Sequence, residues 1–393
     1  YVSDVANLQA SMQTQEADMA ATAAARSLVA KRSLALAPVR TVAIVGGTHG
    51  NELAGPALVR FLGESQPELA RRPSFSTRCV LSNLKAIDEN RRYVSEDLNR
   101  CFDFNALRAA REASPENRNI EQQRALELDE FLGPKFPPSA FSSSSQGESP
   151  DQGQDQGHLR VHEAQTDFLM DLHNTTSNTG VLLCFHKDDA FAREVAAYLR
   201  QFDSSLCTSL WPQEDPPYLP TIARSGMTVE VGPMPHSTMR AEVYEKTKQL
   251  LLRALDYVEM HNQSLAQSQN QQASELDSTE PVKSEGQSEK KHARIKVKMP
   301  VAERVAEVDY PRDQYGRLTG FIHPKLQGIA ELREESFVQQ GSPIFQTEAG
   351  ETLALDLEMA GLDKDAKYYP MFVNEAAYYE KKVAFFLTQI KEH

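Results

Sequence analysis

Residues 41–47 read TVAIVGG, a short apolar run rich in β-branched residues and closed by two glycines. A run that is apolar at every position has no solvent face, so it predicts a strand covered on both sides, as in parallel sheets. Runs of the same kind return in RCVLSN, TDFLMDLHN, GVLLCFH and MTVEVGP. Between them lie helix-like stretches: ELAGPALVRFLGE, EQQRALELDEFLG, FAREVAAYLRQF and TMRAEVYEKTKQLLLRALDYVEMH. Strands alternating with helices predict an α/β domain over residues 39–261, with a largely parallel central sheet flanked by helices. Pro56 fits the first of those helices only in its opening turn, where the missing N–H costs little.

Three segments break the alternation. Residues 1–38 are rich in Ala, Ser and Gln, and their second half is poor in acids. They predict a loosely ordered leader or the remnant of a targeting segment. Residues 139–157 (SAFSSSSQGESPDQGQDQG) cannot bury apolar surface and predict a disordered insertion, and residues 262–291 predict a linker of similar character. Beyond it, ARIKVKMP, GRLTGFIHP and SPIFQT are short β-like runs separated by turns. A smaller β-rich domain over residues 292–393 is expected, ending in a helix-like piece, NEAAYYEKKVAFFLTQI.

The chain of 393 residues has room for two or three folded units. Its 42 basic and 55 acidic residues leave a net charge of −13, which argues against wholesale binding to a phosphate backbone. No apolar run is long enough for a membrane span. The cysteines Cys79, Cys101, Cys184 and Cys207 form no CxxC pair and are too few for a disulfide scaffold, so a reducing, cytoplasmic setting is expected.

The most informative six residues are THGNEL, 48–53. His49 and Glu52 are separated by two residues, directly after a buried strand and its glycines. That spacing turns both side chains toward one point at the carboxyl end of the sheet, where open α/β sheets place their ligands. A third donor, His173, ends the buried run in DLHN. Two histidines and one glutamate form a hydrolase-type zinc site with one position left for water. The alternative is that the histidines are satisfied by hydrogen bonds in the core, since HxxE alone occurs often by chance. His158 and His162, beside Glu163, emerge from the expected insertion and read as solvated surface groups. His186, His236 and His323 have no ligand-like partners at useful spacing and read as structural.

A water activated by a metal needs a nearby base. Glu230, in TVEVGP, ends a strand before a Gly-Pro break and would reach the same sheet edge in dry surroundings that raise its pKa. The competing reading is a solvent-facing glutamate on an edge strand. NRRYVSEDLNR (90–100) concentrates Arg91, Arg92 and Arg100 in an otherwise acidic chain. Guanidinium forks bind carboxylates and stabilise oxyanions, although a charge run is often a solvated face. Arg224 in IARSG and the run AAYYEKK add candidates. A cationic pocket beside a zinc implies a small anionic substrate.

GGTHGNEL, DLNRCFD, DLHNTTSNTG, EVGP, DYPRDQYGRLTGFIHPKLQG and YPMFVNEAAYYEKK together resemble the aspartoacylase/aminoacylase family, in order from about residue 41 to about residue 386. The resemblance implies a zinc-carboxypeptidase-like fold with a β-rich C-terminal domain that narrows the active-site entrance. It implies one zinc ion on His49, Glu52 and His173, with Glu230 as general base and Arg92 polarising the scissile carbonyl. Asn99, Arg100, Arg224 and Tyr378 would hold the substrate, although the stretch between Arg224 and EVGP is shorter than in the mammalian members of the family. The implied activity is deacetylation of N-acetyl-L-aspartate to L-aspartate and acetate by a cytoplasmic enzyme, with a homodimer as a compatible assembly. Aminoacylase action on other N-acyl amino acids or mercapturates is the near alternative. A non-catalytic carboxylate-binding metalloprotein is the remote one.

Overall fold

A computed structural model describes residues 37–141, 165–211, 213–277, 299–379 and 381–392. His158, His162, Glu163, nearly all of the leader and most of the expected insertion lie outside the described residues, as does the linker beyond residue 277.

The strands, in chain order, are β1 Thr41–Gly46, β2 Ser76–Leu81, β3 Phe168–Asn174, β4 Val181–His186, β5 Cys207–Trp211, β6 Ser225–Val231, β7 Pro300–Val308, β8 Gly320–Ile322, β9 Pro343–Thr347, β10 Thr352–Ala354, β11 Tyr369–Met371 and β12 Phe385–Glu392. The helices are α1 Ala54–Arg60, α2 Leu84–Asp88, α3 Phe104–Glu112, α4 Ile120–Leu132, α5 Ala190–Arg200 and α6 Ala241–Asp277. Nine strands make one sheet in the order β11-β12-β7-β5-β4-β6-β3-β1-β2. β2, β1, β3 and β6 run parallel, and β4 is antiparallel to β6.

The apolar runs are covered on both faces. Val42 and Ile44 of β1 face a core built with α1, α5 and α6, through residues such as Leu58, Val195 and Leu251. Ala43 and Val45 face the other core, with Phe104 and Leu107 of α3 and Leu128 and Leu132 of α4. Side chains alternate along a strand, so a run buried at every position needs both layers. Pro56 is the third residue of α1, within the first turn, as expected.

The C-terminal segment supplies a second, three-stranded sheet, β10-β9-β8, and also extends the main sheet through β7, β12 and β11. Two expectations need correction. The stretch 385–392 is a strand, paired with β7 from Phe385↔Val308 to Glu392↔Pro300. Its β-formers Phe385, Phe386, Leu387, Thr388 and Ile390, together with an available partner strand, override the helix-like Ala/Glu/Lys opening. The linker also begins later than residue 262, because α6 continues to Asp277. Gln, Ala, Leu and Glu are adequate helix formers, and no glycine or proline interrupts them.

Candidate active site

β1, β3 and β6 all end at one edge of the sheet, and the chain that follows each delivers one part of the site. After β1, Gly47 adopts φ +83°, a conformation that only glycine takes without strain. A side chain on Gly46 would come within 2.5 Å of the Gly55 backbone, so glycine there lets the first turn of α1 close over the strand end. This turn carries His49 and Glu52. His173 comes from the end of β3, where its Cα is the register partner of Glu230 on β6. Partnered residues on adjacent strands project from the same face.

His49, Glu52 and His173 are buried, and their donor atoms lie within 4.8 Å of one another. Glu52 Oε1 lies 2.7 Å from His49 Nδ1, and its Oε2 lies 2.9 Å from His173 Nδ1. The other nitrogen of each ring faces a carboxylate. His49 Nε2 is 3.1 Å from Asp97 Oδ1, and His173 Nε2 is 2.8 Å from Asp171 Oδ2. Such carboxylates take the Nε2–H and leave each Nδ1 lone pair directed at the common point. Two imidazole nitrogens and a carboxylate oxygen converging with these supporting groups fit a divalent cation such as zinc. Burial pushes the Glu52 carboxyl up, but the two imidazoles outweigh it and hold the group well below the usual carboxylate range.

The loop carrying Arg92 and Asp97 is pinned by a group the sequence did not point to. Glu121, buried in the first turn of α4, accepts the backbone N–H groups of Val94, Ser95 and Glu96 at 2.7, 3.0 and 3.3 Å. Arg92 then donates to Glu52 Oε1 at 3.1 Å and to Asp97 Oδ2 at 3.3 Å. From the C-terminal side, Glu375 accepts hydrogen bonds from Thr175 Oγ1 and from the Thr176 backbone, just beyond β3. That lock seats the turn Ala376–Tyr378 at the same edge.

A cavity of about 270 Å³ opens beside the donor group. His49, Arg92, Asn99, Arg100, Glu230 and Tyr378 all line it, so the structure brings these six predicted residues together. The Glu230 carboxyl has no hydrogen-bond partner among the described residues, although its backbone is paired within the sheet. Burial pushes its carboxyl up to about 8, with Glu52 and Glu375 adding to the rise and His173 and Arg92 opposing it. The Tyr378 hydroxyl is pushed up to about 12, mainly by burial, and stays protonated as a donor. Arg100 lies over the Tyr218 ring at 5.3 Å.

Arg224 is not part of this cavity. It immediately precedes β6 and donates to Asp167 at 2.7 Å, whereas Glu230 sits near the other end of that strand. Six residues of extended chain separate the two by about 20 Å, so Arg224 belongs to the amino edge of the sheet and cannot reach a substrate at Glu230. The sequence reading missed Arg304 of β7 and left Lys381 inside an undivided basic run; both line the cavity, together with Trp211, Tyr218, Phe372 and Phe386. Among the remaining histidines, His323 accepts the Lys325 backbone N–H at 3.1 Å, and His236 lies 3.4 Å from Glu375; neither joins the donor group.

Residues 38–142 and 151–258 match the succinylglutamate desuccinylase/aspartoacylase catalytic domain, and residues 299–390 match the AstE/AspA barrel-sandwich hybrid domain. The chain belongs to the succinylglutamate desuccinylase/aspartoacylase family. It thereby falls among the amidohydrolases of the aspartoacylase/aminoacylase group. It is 34% identical to a Homo sapiens N-acyl-aromatic-L-amino acid amidohydrolase over 357 residues, which cover 90% of this chain and 91% of the human protein. It is 32% identical to a probable aspartoacylase of Acaryochloris marina, covering 89% of this chain and 96% of the other. The crystal structure of murine aminoacylase 3 superimposes with a TM-score of 0.68 at 29% identity, covering 91% of this chain and 97% of the murine one. No helix among the described residues is long and apolar enough to cross a membrane.

Proposed function

We propose that this family member is a zinc-dependent hydrolase that deacylates N-acyl amino acids, with N-acetyl-L-aspartate as its substrate. The observation that carries the reading is Glu230, a carboxyl without a hydrogen-bond partner among the described residues, which shares one cavity with His49 and Arg92. His49, Glu52 and His173 would hold the ion, which when bound acidifies a water and polarises a carbonyl. Glu230 takes the proton from the attacking water and passes it to the leaving amine. Arg92, held in place by Glu52 and Asp97, donates to the carbonyl oxygen as negative charge develops there, so its contact strengthens toward the transition state. Arg100, Asn99 and Tyr378 orient the carboxylate end of the substrate, which supplies part of the rate by positioning.

A second reading has its own support. Trp211, Tyr218, Phe372 and Phe386 line the same cavity, which suits an N-acyl amino acid with an aromatic side chain. Steady-state kcat/KM for N-acetyl-L-aspartate and N-acetyl-L-tyrosine, with and without a chelator, tests both. Preference for the aspartate derivative and loss of activity on chelation support the first reading. Preference for the tyrosine derivative supports the second, and activity unaffected by metal removal defeats the zinc assignment. The same proposal places the enzyme in the cytoplasm, where Cys79, Cys101, Cys184 and Cys207, all free, would stay reduced.

A further inference from the structure

Four cationic side chains line the cavity, and three of them already face a carboxylate. Arg92 is bound to Glu52 and Asp97, and Arg100 and Lys381 approach Asp97 at 4.0 and 3.9 Å. The fourth, Arg304 of β7, forms no ion pair among the described residues. Its Nε is buried without a hydrogen-bond partner. Its guanidinium instead lies over Phe386 at 4.3 Å and Phe372 at 5.9 Å, two aromatic residues of the same cavity wall. Glu307 also lines the cavity but makes no ion pair with it.

The backbone presents this arginine deliberately. β7 and β12 slip register where Ala306 pairs with Leu387 and Arg304 with Thr388, leaving Val305 without a partner. A bulge of this kind bends a strand and re-aims its side chains, and bulges often occur beside active sites. Here it lets Arg304 and Glu307, three residues apart, face one cavity. β7 stands three strand positions from β6, which carries Glu230. Those spacings amount to about 14 Å between backbones. An extended arginine spans about half of that, leaving room for a short acidic side chain between its guanidinium and an amide placed at Glu230.

We propose that Arg304 receives the side-chain carboxylate of the substrate and makes acidic N-acyl amino acids the preferred class. The assignment rests on the deacylase reading above, and it gives Arg304 a substrate-holding role of the kind the family resemblance implied for Arg224. A guanidinium that stays unpaired in the free enzyme gains a full charge-assisted contact when such a carboxylate arrives. A neutral side chain would leave it unpaired, which is how sites built for a polar group reject analogues that lack it.

The test compares N-acetyl-L-aspartate with its neutral isostere N-acetyl-L-asparagine on the zinc-loaded enzyme, in wild type, Arg304→Met and Arg304→Lys. The wild-type kcat/KM ratio should favour aspartate, and Arg304→Met should cut that ratio about a hundredfold, with partial recovery in Arg304→Lys. An equal loss on both substrates would assign Arg304 to the shared α-carboxylate and overturn the proposal. Calorimetric binding of L-aspartate against L-asparagine gives a readout independent of hydrolysis. If no N-acyl amino acid is cleaved yet aspartate binds better in an Arg304-dependent way, the deacylase reading falls and Arg304 keeps its role. If Arg304→Met does not fold, the wild-type ratios decide, and values near one sink the idea.

Discussion

His173 Nε2 lies 2.8 Å from Asp171 Oδ2, and the other oxygen of that carboxylate accepts a hydrogen bond from Thr48 Oγ1 at 2.8 Å. The two contacts make Asp171 sensitive to a change as small as one atom. In Asp171→Asn the amide oxygen is retained by Thr48, and the NH₂ group then faces the His173 ring. The ring would move its proton to Nδ1, the atom directed at Glu52 and His49, and lose a donor lone pair. Loss of such a supporting carboxylate typically costs about 10- to 100-fold in metal affinity. Competition with a chromophoric zinc chelator should show that loss; unchanged affinity would mean that Asp171 does not set the tautomer.

Glu230→Gln should keep the bound metal, since Glu230 is not one of the three converging donors. The neutral amide cannot accept a proton, so kcat should fall by about 10²–10⁴-fold, the usual contribution of a positioned acid or base. Metal content by elemental analysis and kcat on the best substrate are the two measurements. Turnover within a few-fold of wild type would remove Glu230 as the base.

Arg224→Met should leave kcat/KM for N-acetyl-L-aspartate essentially unchanged. Its partly exposed pair with Asp167 at 2.7 Å lies at the far edge of the sheet, and such pairs are worth about 0–1 kcal/mol of stability. A large loss of kcat/KM without a loss of Tm would return Arg224 to the site.

The contrast between Arg224 and Arg304 shows what a one-dimensional reading can resolve. TVAIVGG, DLHN and EVGP were legible because strands covered on both faces leave continuous apolar runs, and the donor groups sit at their carboxyl ends. Counting back along β6 also shows that Arg224 and Glu230 cannot share an edge. Arg304 gives no such signal. It stands in AERVAEV, which carries no motif and no regular apolar alternation, and its place beside the cavity depends on a strand pairing with a register slip that the sequence does not display. Glu121 was equally hidden, since its role depends on a loop some 25 residues earlier folding back over the start of α4. The C-terminal segment misled for a related reason: the helix-like opening AAYYEKK runs into FFLTQI, and pairing of that stretch with a distant strand makes it β12.

Lys381, partly exposed at the rim of the cavity, should give the active site a pH response in substrate binding. Burial, then the neighbouring charge of Arg100, pushes its ammonium down to about 8, with Arg92 and Arg304 acting in the same direction and Asp97 opposing them. Below that pH the group is charged and adds to the attraction for an anionic substrate. Above it the charge is lost, and the attraction weakens as pH rises. KM for N-acetyl-L-aspartate should therefore increase through about pH 8 while kcat does not fall in parallel. Lys381→Met should flatten that rise and hold KM near the high-pH value throughout. A wild-type KM that stays level from pH 7 to 9 would show that the lysine keeps its proton across the range, or stands too far from the substrate to matter.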